Sequence, residues 1–216
     1  MTRGKFITFE GGDGVGKSTQ IEAIEGRLTD KGVSVIRVRE PGSTPSAERI
    51  RSLILQGEPE DWLPMSELLL MNAARHDLVE RVINPALRSG KWVLADRFAD
   101  SSRAYQIAAG GLRAEVAEPV IQAATGGLEP DVTVLLQIPM EQAFERIEAQ
   151  GGDERRFEAM GLEFQRRALS AFYALSEQFP QRVAPVSALG SVDEVTDRIW
   201  SMFTDRDLFA AEQQGS

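Results

Sequence analysis

The chain has 216 residues, 42% of them hydrophobic and 26% charged, with a formal net charge of −9. That balance suits one globular domain with a substantial core, and the acidity argues against a nucleic-acid partner, which usually meets a basic face. The absence of cysteine excludes disulfides and thiolate metal sites, a single histidine disfavours zinc, and no apolar run approaches membrane-spanning length, so no membrane partner and a cytoplasmic location are expected.

The apolar run Phe6 to Glu10 reads as the first strand. It leads into Gly11-Gly12-Asp13-Gly14-Val15-Gly16-Lys17-Ser18, which fits G-x-x-x-x-G-K-[ST], a phosphate-cradling loop. Ser18 to Thr29 then places Ile21, Ile24 and Leu28 on one helical face. Strand, glycine loop and helix in that order make an anion site. Glycines let the backbone curl its N–H groups inward, and the helix N-terminus adds partial positive charge. Lys17 supplies a point charge for the outer phosphates and Ser18 a hydroxyl for magnesium.

Val33 to Val38 is expected as the second strand. Arg39-Glu40-Pro41-Gly42-Ser43-Thr44-Pro45 follows, a rigid turn at a strand's carboxyl end that can aim Glu40 into a cleft or serve only as a loop. A helix carrying Ile50, Leu53 and Ile54 comes next. A longer one holds Leu68, Leu69, Met71, Leu78, Val82 and Ile83, with Pro85 as a bend or stop. On it, Arg75 is either a guanidinium gripping an acceptor phosphate or a solvated helix residue, and His76 is a surface residue. The third strand, Trp92 to Asp96, ends in Asp96-Arg97-Phe98. There Asp96 could hold magnesium through water and Arg97 could face the gap between donor and acceptor; a surface ion pair is the plainer alternative.

Helices over Ala114 to Thr125, Met140 to Gln150, Leu162 to Gln178 and Val192 to Phe203 alternate with strands over Val132 to Ile138 and Val183 to Val186. This alternation predicts an α/β fold, a parallel sheet flanked by helices, with ligands at the carboxyl ends of the strands. One domain over 1–204 and a frayed tail from Asp205 to Ser216 are expected. The chain lacks G-x-G-x-x-G and the Asn-Lys-x-Asp of guanine-specific switches, so a kinase of a small phosphorylated acceptor is the reading that the segments favour.

The segments FITFEGGDGVGKSTQ, REPGSTP, NAARHDL, DRFADSSRAYQ, PDVTVLLQIP and ERIEAQGGDERRFE, in this order, resemble those of bacterial thymidylate kinases over roughly residues 5 to 204. The resemblance implies a three-layer P-loop fold with a five-stranded parallel sheet and a short mobile lid at about 146–158. It implies transfer of the γ-phosphoryl of ATP to dTMP with Mg2+, in a homodimer. Carried over, Gly11, Gly12, Asp13, Gly14, Val15, Gly16, Lys17, Ser18 and Thr19 surround ATP, with Arg146 beside them and Ala188 in the loop against adenine. Asp13, Glu40, Arg51, Met71, Arg75, Arg97, Ser102, Tyr105 and Gln106 surround dTMP: Asp13 at the sugar 3′-hydroxyl, Tyr105 crowding the 2′ position, Ser102 and Gln106 along the base. Ser18 and Asp96 serve the metal. Lys17, Arg97, Arg146 and Arg155 are the expected catalytic cations, and Arg156 a lid or hinge arginine. Val15 stands where one branch of the family carries a catalytic arginine, so the missing charge is expected from the lid. Met71 replaces a usual phenylalanine, Ser43 a usual glycine and Gln137 a usual aspartate.

Overall fold

The apolar runs become β1 Phe6–Glu10, β2 Val35–Arg39, β3 Trp92–Asp96, β4 Val132–Gln137 and β5 Val183–Ser187 in a computed structural model that describes residues 3–139, 141–142 and 156–209. They pair in the order β2-β3-β1-β4-β5, all parallel. Every residue of β1 is buried, as a central strand covered on both faces requires. Successive side chains leave a strand on opposite faces, so Ile7 and Phe9 enter one layer and Phe6 the other. The first layer is closed by α1 Lys17–Asp30 through Ile21, Ile24 and Leu28, and by the last helix through Val195, Ile199 and Phe203. α2 Pro45–Leu55 leads to α3 Pro64–Leu78, and α3 closes the other layer with Leu68 and Leu78. Among the described residues no helix is long and apolar enough to cross a membrane.

The second strand begins at Val35, not Val33, because Val33 caps α1 instead. The Gly32 N–H meets Thr29 O at 2.8 Å and the Val33 N–H meets Leu28 O at 3.0 Å. Gly32 has φ 81°, and Val33 joins Leu28 in the core. This is a Schellman stop, and its hydrophobic contact uses up the valine.

Pro85 does not end the helical path either. Val79–Ile83 widens into a π turn, in which the Asn84 N–H reaches Val79 O. The ring then sits at the start of α4 Asn84–Arg88, where a missing N–H costs little. α5 Ala99–Ser102 likewise runs on through a π segment, Arg103–Ala109. α6 Ala114–Thr125, α7 Leu162–Gln178 and α8 Val192–Asp205 complete the described helices. The fraying expected from Asp205 gives way over 205–209. Leu208 is buried and Phe209 stacks on Trp92 with ring centroids 5.5 Å apart, so two apolar side chains fasten the segment. The expected helix from Met140 to Gln150 and the lid at 146–158 lie largely outside the described residues, as do residues 210–216 of the tail.

A polar clamp ties α2 to α3. Thr44 accepts the Ala47 N–H as N-cap of α2, while its hydroxyl and that of Ser46 each donate to Asp77 at 2.5 Å. Arg81 adds a third donor. The Ser46 and Thr44 hydrogen bonds, then Arg81, hold the Asp77 carboxyl down at about 2, from 3.8. A depressed folded pKa adds stability above the unfolded value and loses it as pH falls through the folded one. The thermal midpoint of wild type should therefore exceed that of Asp77→Asn at pH 6, and the gap should close between pH 4 and 2.

Candidate active site

At the carboxyl end of β1 the chain turns through Gly11, Gly14 and Gly16, with φ of 130°, 72° and 96°. A Cβ on Gly11 would meet Leu136 O at 2.5 Å, so both conformation and space demand glycine there. Gly16 is the N-cap of α1 and supplies no side-chain acceptor, and the first turn holds no acid. The leading N–H groups of the helix thus face the loop without an internal counter-charge. Lys17 is buried and folds back, donating to Gly12 O at 2.8 Å, with Asp13 4.0 Å away. Burial and then the neighbouring Arg97 lower its pKa. Ser18 Oγ donates to Asp96 Oδ2 at 2.9 Å across the ends of β1 and β3. Among the described residues no group of three or more His, Asp or Glu stands ready to hold a metal. A hydroxyl and one carboxylate are nonetheless hard oxygen donors of the kind Mg2+ takes when phosphates supply the rest.

Arg97 follows Asp96 directly, in the left-handed region at φ 71°. That turn throws its guanidinium across to the phosphate loop. It donates to Gly11 O at 3.0 Å, to Asp13 at 2.5 Å and to Ser101 Oγ at 3.1 Å, and lies 5.2 Å from the Tyr105 ring centre. Burial pushes the Asp13 carboxyl up, but Arg97 and Lys17 outweigh it and hold the group below its ordinary value. Asp13 is thus an anion held between two cations.

Beside this pair opens a cleft lined by Asp13, Glu40, Pro41, Arg51, Leu55, Met71, Arg97, Ser101, Tyr105 and Phe157. Arg51 reaches it from α2 and donates to Pro41 O at 2.9 Å. Tyr105 is packed among Phe157, Phe164 and Phe172, and burial drives its pKa up. Arg75, Ser102 and Gln106 lie fully buried rather than solvated. Arg75 is only 2% exposed; it donates to Glu40 at 2.8 Å, Asn72 at 2.8 Å, and Phe98 O and Ser102 Oγ at 3.1 Å each. Glu40 Oε1 and Gln106 Oε1 are the buried side-chain atoms without a hydrogen-bond partner among the described residues. Both border the row Glu67, Met71, Arg75 that α3 turns toward the cleft at four-residue spacing: Arg75 pairs with Glu40, and Glu67 accepts from Gln106 Nε2 at 2.7 Å.

Arg156, expected as a lid or hinge arginine, opens the described segment 156–209. It is a buried fastener, paired with Glu67 at 2.5 Å and donating to Ile54 O, Glu58 O and Pro59 O. Glu67 supplies the charge that lets a guanidinium be buried, and the three carbonyls close the end of α2. Arg146 and Arg155 lie outside the described residues. Ala188 is buried in a second recess with Val15, Gly16, Thr19, Gln20, Gly190, Ser191, Val192 and Val195, which shares no lining residue with the cleft. Sequence reasoning missed Pro41, Leu55, Ser101 and Phe157 as cleft residues. Pro41, Ser101 and Phe157 lie inside segments that were recognised and Leu55 follows directly on Ile54, so the segments were found while the side chains facing the cleft were not.

A family model described as thymidylate kinase matches residues 9–199. A thymidylate kinase of Caulobacter vibrioides is 44% identical over 206 residues, spanning 95% of this chain and 99% of its own. One of Magnetococcus marinus is 43% identical over 198 residues, spanning 92% and 94%. A crystal structure of thymidylate kinase from Ehrlichia chaffeensis shares the fold with a TM-score of 0.74 at 26% identity, covering 93% of this chain and 99% of that one.

Proposed function

The chain belongs to the thymidylate kinase family, and from that premise we propose that it transfers the γ-phosphoryl group of ATP to the 5′-phosphate of dTMP, yielding ADP and dTDP. The observation that carries this reading is the meeting of two anion sites on neighbouring strand ends: the phosphate loop with Lys17, and Arg97 reaching over Asp13 from β3. An acceptor oxygen attacks the γ-phosphorus as the bond to the ADP oxygen breaks, so the two charged chains must be held in line.

Each residue has a part in that arrangement. Gly11, Gly12, Gly14 and Gly16 turn backbone N–H groups toward the donor phosphates, with Val15 and Thr19 beside them. Lys17 swings from its loop carbonyls to the outer phosphates. Ser18 and Asp96 would hold Mg2+, which when bound neutralises charge on the phosphate oxygens. The recess at Ala188 takes adenine. Arg97 exchanges Asp13 for the acceptor phosphate, leaving the carboxylate for the sugar 3′-hydroxyl. Arg51 adds a second cation to the phosphate, and Tyr105 fills the space a 2′-hydroxyl would need. Met71 and Phe157 cover the faces of the base. Arg75, oriented by Glu40 and Ser102, presents donors to a base carbonyl, and Gln106 Oε1 offers an acceptor nearby. Arg146 and Arg155 supply the remaining positive charge, since Val15 brings none. The exposed Leu69 and Val116, on the helices α3 and α6, support a homodimer, and the reading as a whole a cytoplasmic enzyme.

A coupled assay for ADP release over a panel of nucleoside monophosphates tests the reading. The expected result is magnesium-dependent turnover with dTMP well above dCMP and above the ribose counterpart. Equal rates with thymidine and dTMP, or ATP hydrolysis indifferent to any monophosphate, would overturn it.

A further inference from the structure

We propose that Glu10 is a positioning residue for Arg97, acting through the Ser101 hydroxyl. This rests on the reading that Arg97 grips the acceptor phosphate. Glu10 closes β1 and is wholly buried. Its Oε1 accepts the N–H groups of Phe98 at 2.8 Å and Ser101 at 3.3 Å, and its Oε2 accepts the Ser101 hydroxyl at 2.6 Å. With its proton committed to Glu10, Ser101 Oγ turns a lone pair to Arg97, which donates at 3.1 Å. One carboxylate therefore fixes both ends of the problem. It satisfies the backbone on either side of the turn that follows the left-handed Arg97, and it orients the hydroxyl that steadies the guanidinium.

The choice of a carboxylate is informative. α5 begins at this turn, and its N-cap Phe98 provides no side-chain acceptor, so Glu10 caps the helix from a different strand. A neutral amide would satisfy the same backbone groups at a smaller desolvation penalty. Among the described residues Glu10 has no direct ion-pair partner. The charged and titratable groups that face it are Arg97, Asp100, Lys17 and Tyr105. Burial, then Asp100, raise its pKa to about 7, against the pull of Arg97. The negative charge is kept in this expensive place where it bears on Arg97.

Steady-state kinetics of wild type, Glu10→Gln, Ser101→Ala and the double variant test the proposal, with thermal midpoints recorded to confirm folding. Each single change is expected to lower kcat/KM for dTMP by about tenfold while KM for ATP stays within about twofold. The double variant is expected to lose no more than the worse single one, because both cut the same connection. The deficit of Glu10→Gln should shrink from pH 8 to pH 6, where wild-type Glu10 becomes neutral too. Wild-type kinetics in Glu10→Gln, or losses that multiply in the double variant, would overturn the proposal. If Glu10→Gln does not fold, Ser101→Ala against Ser101→Thr decides: activity kept only with the hydroxyl supports the relay, and equal loss in both overturns it. A wild type inactive with dTMP would instead remove the functional reading beneath it.

Discussion

Arg97→Ala should turn over dTMP about 100- to 1,000-fold more slowly than wild type, with KM for ATP changed by less than about threefold. The guanidinium meets Gly11 O, Asp13 and Ser101, and in the proposed arrangement it serves the acceptor while Lys17 and the α1 N-terminus remain for the donor. Its loss withdraws charge where it matters most, between two anions being pressed together, so kcat and kcat/KM for dTMP should fall together. The fold should survive. Asp13 is partly exposed and keeps Lys17 at 4.0 Å, and the buried Glu10, losing the pull of Arg97, takes up a proton more readily and keeps its hydrogen bonds to Phe98 and Ser101. Arg97→Gly sharpens the test, because φ 71° is strained for any residue with a Cβ. That variant should be more stable than Arg97→Ala by about 1 kcal/mol and just as slow. Stopped turnover in the more stable protein would assign the loss to chemistry rather than to folding. A steep rise in KM for ATP in either variant would instead place Arg97 on the donor.

Those elements whose signals are local were legible in the sequence. The glycine loop, the strand-helix alternation and Asp96-Arg97 all announce themselves within a few residues, and the sheet forms as read. Where the reading slipped, a tertiary demand overrode a local one. Val33 has β propensity, yet its backbone is taken by the Schellman stop of α1, so β2 starts two residues later. Pro85 would break an α-helix, but the π turn before it widens the path enough to carry on. Leu208 and Phe209 look isolated in a polar tail, yet packing gives both partners: Leu208 joins the core, and Phe209 meets Trp200 and the distant Trp92. Arg156 shows what a segment alone leaves out: its neighbours in sequence mark it as a lid or hinge arginine, and its partner Glu67, 89 residues away, is visible only in the fold. Glu10 shows the same limit from the other side: it reads as the end of an apolar strand, and its contacts with Phe98 and Ser101 appear only when β1 and β3 lie side by side.

Arg75→Met should be the most destabilising of the single changes considered, by about 3–5 kcal/mol, and should also cost dTMP recognition. The pair Arg75–Glu40 is shut away from water, with side chains 2% and 5% exposed. Removing the arginine leaves a carboxylate with one oxygen already unpartnered and the other newly so. Burial already raises the Glu40 pKa, and Arg75 is the opposing influence. Without Arg75 the folded pKa rises further above the unfolded one. Stability is then full below the unfolded value near 4.5 and is lost as pH rises through the folded one. The urea midpoint of Arg75→Met should accordingly lie close to wild type at pH 5 and well below it at pH 8. The double change Arg75→Met with Glu40→Leu removes both charges and should regain most of the stability, as replacement of buried ion pairs by apolar side chains often does. It should regain none of the activity with dTMP, because a thioether in place of the guanidinium offers a base carbonyl no donor. Full stability in Arg75→Met at pH 8 would show that Glu40 finds water or a proton there without difficulty. Recovered turnover in the double variant would show that the pair supports the fold and leaves the nucleobase to others.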